Sequence, residues 1–198
     1  MTSATPLTKG ERTQARILEA AIDRFGTNGF RPTSVAAIAR DAGVSAAAPF
    51  AYWPSKEALF DAAVDADARR VIIELLGELP LTDDPALWLS LVGQLLSVLE
   101  RHPLARRVLA GQEPESIDRL LRLSAFDDLR ELLAAVIRDG QEKGSVRPDL
   151  DAARAAVGIE SITMAMAMAV LQLRDGIDPE RQAGVAEVLL AAFRPPAT

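Results

Sequence analysis

One lysine, one histidine and one glutamate stand where their side chains could do chemistry. Lys56 opens a helical stretch that follows Ser55. A cation on the first turn of a helix opposes the macrodipole, so its presence there points to an anionic partner such as phosphate. His102 is the sole histidine, precedes Pro103, and has no cysteine anywhere in the chain to share a metal with it. It therefore reads as a capping or solvent-exposed residue rather than a metal ligand or a general base. Glu160 sits beside Gly158, Ile159 and Ile162 in a strongly apolar stretch. A carboxylate there must pair with an arginine or reach a ligand or solvent, and pairing is the preferred reading.

The other candidate ligand contacts are apolar. Trp88, Leu91 and Phe126 can line a cavity, and Met164, Met166 and Met168 carry thioethers that adapt to irregular surfaces. At spacing two these methionines point different ways around a helix, and all six side chains could equally be core. Met164 and Met168 are the two carried forward. The chain has no glycine-rich phosphate loop, no paired histidine and carboxylate at metal spacing, and no serine in a nucleophile elbow. No enzyme, cofactor or metal is expected.

Helices must position these groups. Residues 8–30 place Ile17, Ala20, Ala21, Ile22 and Phe25 near helical spacing, and Gly26, Asn28 and Gly29 end the run. Pro32 blocks continuation. Thr33 or Ser34 can cap a short second helix with Val35, Ile38 and Ala39 inward, and Ser45 can cap a third over 46–53. Ser55 caps a longer fourth. Beyond it, breakers from Pro80 to Pro179 separate helical segments at roughly 86–101, 104–110, 116–123, 125–143, 150–173 and 179–193. No run alternates like a strand, so the chain reads all-α.

Composition narrows the classes further. Hydrophobic residues are 49% and charged residues 25%, ordinary for a globular protein with a core. Net charge is -6, yet residues 1–60 hold seven Lys or Arg against five Asp or Glu, and 61–198 hold 15 against 23. That asymmetry suits a nucleic-acid module on a non-binding body. No leader and no run of about 18 apolar residues is read, so a cytoplasmic protein without membrane contact is expected.

Two short helices joined by Ala42-Gly43-Val44-Ser45 form either a helix-turn-helix or an ordinary αα corner. The context decides: ARILEAAIDRFGTNGF, then TSVAAIARDAGVS, then Tyr52-Trp53 followed by PSKEALF. From Thr8 to about Ala63 the chain resembles the TetR-family DNA-binding domain along its whole length, while later residues resemble the family only in helical layout. The resemblance implies a mobile arm at 1–8, a three-helix DNA-binding domain at 9–60 with its helix-turn-helix at about 34–53, and a helical effector-binding and dimerisation domain at 61–198. It implies Ala46 to Tyr52 in the major groove, with phosphate contacts from Thr33 or Ser34, Tyr52 and Lys56. Thr33 and Ser34 can equally be caps alone, and Trp53 reads as core.

The reading positions depart from the pattern. Ser45, Ala46, Ala47, Ala48 and Phe50 offer few groups for bidentate bonds to bases, leaving thymine methyl contacts and DNA shape. Pro49 should shorten or distort this helix. The expected function is a repressor, a homodimer through its last two long helices, released from a palindromic double-stranded DNA operator by a lipophilic or aromatic effector. The alternative is an adaptor of the same fold that has lost DNA binding.

Overall fold

The computed structural model describes residues 8–78, 87–113, 125–173 and 179–195. Residues 1–7 of the expected arm at 1–8, the helix at 116–123 and the turn at 176–178 lie outside the described residues, and Thr8 is the cap of the first helix. Helix α1, Lys9–Asn28, begins with a reciprocal cap: the Thr8 hydroxyl accepts the Glu11 N–H, and the Glu11 carboxylate accepts the Thr8 N–H. Its buried face is Ile17, Ala21, Ile22 and Phe25. It stops at Gly29, whose φ of +82° and ψ of 173° suit a residue without Cβ.

Helix α2, Val35–Asp41, is capped by the Ser34 hydroxyl, which accepts the Ala37 N–H. Gly43 then turns the chain at φ +64°. The expected third helix over 46–53 is corrected to a 3₁₀ turn at Ala48–Ala51. Ser45 gives no side-chain cap; its carbonyl accepts the Ala48 N–H, and the turn starts afresh from Ala47. Pro49 is the reason: placed in the first turn, its missing N–H removes no bond. The distortion expected at Pro49 is thus present.

Helix α3, Lys56–Glu78, starts on the Ser55 cap and runs unbroken past residue 60. It is followed by α4 (Leu87–Leu99), α5 (Pro103–Leu109), α6 (Ala125–Lys143), α7 (Ala152–Gln172) and α8 (Pro179–Phe193). There is no strand among the described residues. Helices α1 and α3 pack on each other, α5 lies against both, and α6 packs along α7, which also touches α4 and α5.

One contiguous core runs from Ile17 through Trp53, Phe60 and Val64 to Phe126, Ile159 and Phe193. The two expected domains therefore share α3 and a common interior. At the head of this core Phe60 meets the Phe25 and Phe30 rings at 4.9 Å each.

The expectation of no segment apolar enough to span a bilayer needs correction, because Ala152–Gln172 is long and apolar enough by length and composition. One face of this helix lies in the core. It buries Ala156, Ile159, Thr163 and Ala167 against α6, α4 and α5, and it carries an ion pair at Glu160.

Candidate nucleic-acid interface and buried cavity

The helix-turn-helix is braced from α1. Arg16 on α1 donates through Nε and Nη2 to the Ala42 carbonyl and through Nη2 to Gly43 O at 3.1 Å, tying down the turn. Arg24 makes a two-pronged pair with Asp41 at the end of α2. The Arg24 guanidinium holds the Asp41 carboxyl below the usual carboxylate range, so this strap persists unless the pH falls well into the acid range.

With the frame fixed, the tip presents Ser45, Ala46, Ala47 and Phe50 to solvent, Phe50 being 52% exposed. Ala48 is half-buried and packs on the core, and Pro49 is buried, so Ala48 lends less surface to the tip than Ala46 and Ala47 do.

The expected phosphate-gripping residues divide. Ser34 is exposed beside its cap. The Tyr52 hydroxyl donates to Gly10 O at 3.2 Å, so it ties the turn to the start of α1. Lys56 Nζ donates to Arg31 O at 3.2 Å and lies 4.3 Å from the Phe30 ring centroid. The loop carbonyl and the ring face thus offset the unfavourable helix position without a phosphate, while Lys56 as a residue is half-buried.

Thr33 is corrected: it is buried, and its hydroxyl donates to Gly29 O at 2.8 Å. Thr33→Val should therefore cost about 1–2 kcal/mol of stability, read by urea denaturation, and leave DNA affinity per folded molecule unchanged. A selective loss of DNA affinity would contradict this. Exposed cations that the motif reading passed over are Arg12, Arg31 and Arg40, whose side chains make no hydrogen bond or ion pair among the described residues. Arg40, on the last turn of α2 beside the tip, carries the clearest signal: a cation flanking an apolar reading surface.

Behind the head, an apolar cavity of about 50 Å³ lies between α3, α4, α5, α6 and α7. Helix α3 lends Ala68, Val71, Ile72 and Leu75. Leu91, Phe126, Glu160 and Met164, all expected at a ligand site, are brought together there. Met168 is half-buried against the core and does not line the cavity. Its position one turn beyond Met164 carries it past the end of the void. Trp88 belongs to the first turn of α4, but its side chain lies outside the described residues. Glu160 pairs with Arg130 through both oxygens, as the apolar surroundings required. Arg130 also holds Asp127 through Nη1 at 2.7 Å.

The model of "Bacterial regulatory proteins, tetR family" matches residues 17–63, the stretch from α1 to the first turns of α3. The chain is 34% identical over 138 residues to the HTH-type transcriptional regulatory protein RaaS of Mycobacterium tuberculosis, an alignment covering 69% of this chain and 61% of RaaS. It is 27% identical over 150 residues to the HTH-type transcriptional regulator UidR of Escherichia coli, covering 74% of this chain and 75% of UidR.

The chain belongs to the TetR family. It is a DNA-binding helix-turn-helix transcriptional regulator. Its fold extends through the body as well: the transcriptional regulator FadR of Bacillus subtilis, solved in complex with stearoyl-CoA, superposes with a TM-score of 0.61 at 18% identity, covering 91% of this chain and 99% of FadR.

Two polar joints fasten α5 of this TetR-family regulator, one to the head and one to α3. Glu113 Oε1 accepts both the Phe30 N–H at 3.1 Å and Arg107 Nε at 2.9 Å. Asp67 on α3, 2% exposed, accepts the Ala105 N–H at 2.9 Å and lies 2.8 Å from His102 Nδ1. His102 is itself buried, which corrects its expected exposure. Its Nε2 lies 3.3 Å from Glu74 Oε1. Asp67 was legible as a polar residue at the i+4 position between Ala63 and Val71 on the buried face of α3.

Proposed function

We propose that this regulator is a cytoplasmic repressor, released from a palindromic operator by a mainly apolar ligand held in the cavity between α3 and α7. The observation that carries the reading is the continuity of α3: its first turn bears Lys56 at the DNA-facing head, and Ala68 to Leu75 wall the cavity. The cavity holds about 50 Å³, whereas pockets for drug-sized ligands run to about 300–1000 Å³. A ligand must therefore spread the lining helices, and α3 transmits that displacement to the head. The stearoyl-CoA complex of FadR supports a lipophilic occupant.

In this reading residues 9–60 form the DNA-binding unit and 61–198 the effector-binding and dimerisation unit. Val157, Ile162 and Leu173 on α7 and its end, with Val188 on α8, are exposed apolar side chains that suit pairing with a second copy. At the head, Ser34, Arg40 and Lys56 grip phosphates, Tyr52 positions the turn, and Phe50 with Ala46 and Ala47 meets thymine methyl groups. Base readout is weak by comparison with the grip on the backbone.

A gel shift on the gene's own upstream DNA across a salt series tests this. Wild type should bind, and Arg40→Ala and Lys56→Ala should each weaken binding by about three- to tenfold while lowering the salt slope by about one. Binding that never appears, or that ignores salt, would favour the adaptor reading.

A further inference from the structure

Three cations of α1, Lys9, Arg12 and Arg16, are exposed and share one face of the helix at spacings of three and four. The Lys9 and Arg12 side chains make no hydrogen bond or ion pair among the described residues. Lys9 opens the helix and Arg12 follows a turn later, at the end where the macrodipole disfavours positive charge. Lys56 in the same position on α3 is compensated by a loop carbonyl and a ring face, whereas nothing among the described residues compensates Lys9.

This stripe is fixed beside the reading tip at both ends. At one end the Tyr52 hydroxyl donates to Gly10 O at 3.2 Å, and at the other Arg16 donates to the Ala42 and Gly43 carbonyls. Those bonds use Arg16 Nε and Nη2 and leave Nη1 without a partner among the described residues. The guanidinium is thereby held in one orientation with donors to spare. Further along the same face the charge reverses at Glu19 and Asp23, and Glu19 is taken by Arg70 of α3. Glu11 lies across the helix, its carboxylate on the Thr8 N–H. Positive charge on this face is therefore confined to the half of α1 that adjoins the tip.

From Lys9 to Arg16 the helix rises about 10 Å, a length over which one strand of duplex DNA carries about three phosphates. We infer that this face of α1 is a phosphate-binding ridge, a second hold on duplex DNA beside the groove that the tip enters. Lys9, Arg12 and the free Nη1 of Arg16 meet flanking phosphates, so Arg16 both braces the turn and touches DNA. This rests on the DNA-facing head proposed above and widens its footprint.

The test is fluorescence anisotropy of the full chain on labelled upstream DNA across a salt series, for wild type, the double variant Lys9→Gln with Arg12→Gln, and Arg16→Gln. The double variant loses no internal contact, so its thermal melt should match wild type. Its salt slope should fall by about two, and its affinity at about 0.1 M salt by about ten- to hundredfold. Arg16→Gln should lower the slope by about one. A double variant with the slope and affinity of wild type overturns the ridge while the grip of Arg40 and Lys56 stands. Affinity lost in Arg16→Gln at the wild-type slope overturns its contact with DNA and leaves it a brace alone. Wild type that binds at no salt concentration takes down the DNA-facing head, and the ridge with it.

Discussion

Asp67→Ala is expected to cost about 3–5 kcal/mol of folding stability, read as a fall in the urea midpoint at constant slope. The carboxylate is 2% exposed and serves two donors at once, His102 and the Ala105 N–H. Alanine removes the acceptor from both and leaves a cavity beside Ala68 and Val71. Asp67→Asn separates the contributions: the amide keeps one acceptor oxygen but turns an N–H₂ towards the other donor, so its cost should fall between alanine and wild type. A loss below about 1 kcal/mol for alanine would show that water or a shift of α5 satisfies the orphaned groups, and that this joint does not hold the body to α3.

Gly29→Ala should be the other large loss, about 2–4 kcal/mol, from two independent causes. The backbone at φ +82°, ψ 173° lies in a region open essentially to glycine alone, worth about 1–3 kcal/mol for any side chain. A Cβ built there would also stand 2.6 Å from Arg107 Nη2 and 2.7 Å from Glu113 Oε1. Those atoms belong to the bridge that fixes Phe30, so relieving the clash breaks the joint between the head and α5. Paired thermal melts of Gly29→Ala and Glu113→Ala check this. Glu113→Ala loses only the bridge and should cost less than Gly29→Ala; equal losses would mean that the backbone at residue 29 carries no strain penalty.

Much of the frame was legible along the chain because its signals are local. Ser34 and Ser55 as caps, Gly29 and Gly43 as stops and turns, and the 3.6-residue spacing of Ile17, Ala21 and Phe25 each depend on neighbours within a turn or two. Pro49 announced its distortion for the same reason, although not the exact form of the turn. Glu160 could be assigned a cationic partner from its apolar surroundings, but nothing local named Arg130, thirty residues earlier on another helix.

Thr33 and His102 both lie at element ends, where sequence suggests solvent, and both are turned inward: Thr33 by a bond from its hydroxyl to the Gly29 carbonyl in the adjoining turn, His102 by Asp67 on α3, far away in the chain. Lys56 shows the reverse. Its position on the first turn called for an acceptor, and tertiary structure supplied one in the Arg31 carbonyl.

The sequence by itself therefore determined an all-helical regulator of the TetR family with an apolar, weakly reading tip, since caps, breakers and motif spacing are properties of short stretches. Tertiary structure alone decided which polar groups are free to meet a partner. Freedom is what internal pairing leaves over: Arg40 is left facing solvent, while Thr33, His102 and Asp67 are already bound within the fold. Only the folded chain brings together the acceptors that settle which of these side chains remain available to DNA or ligand.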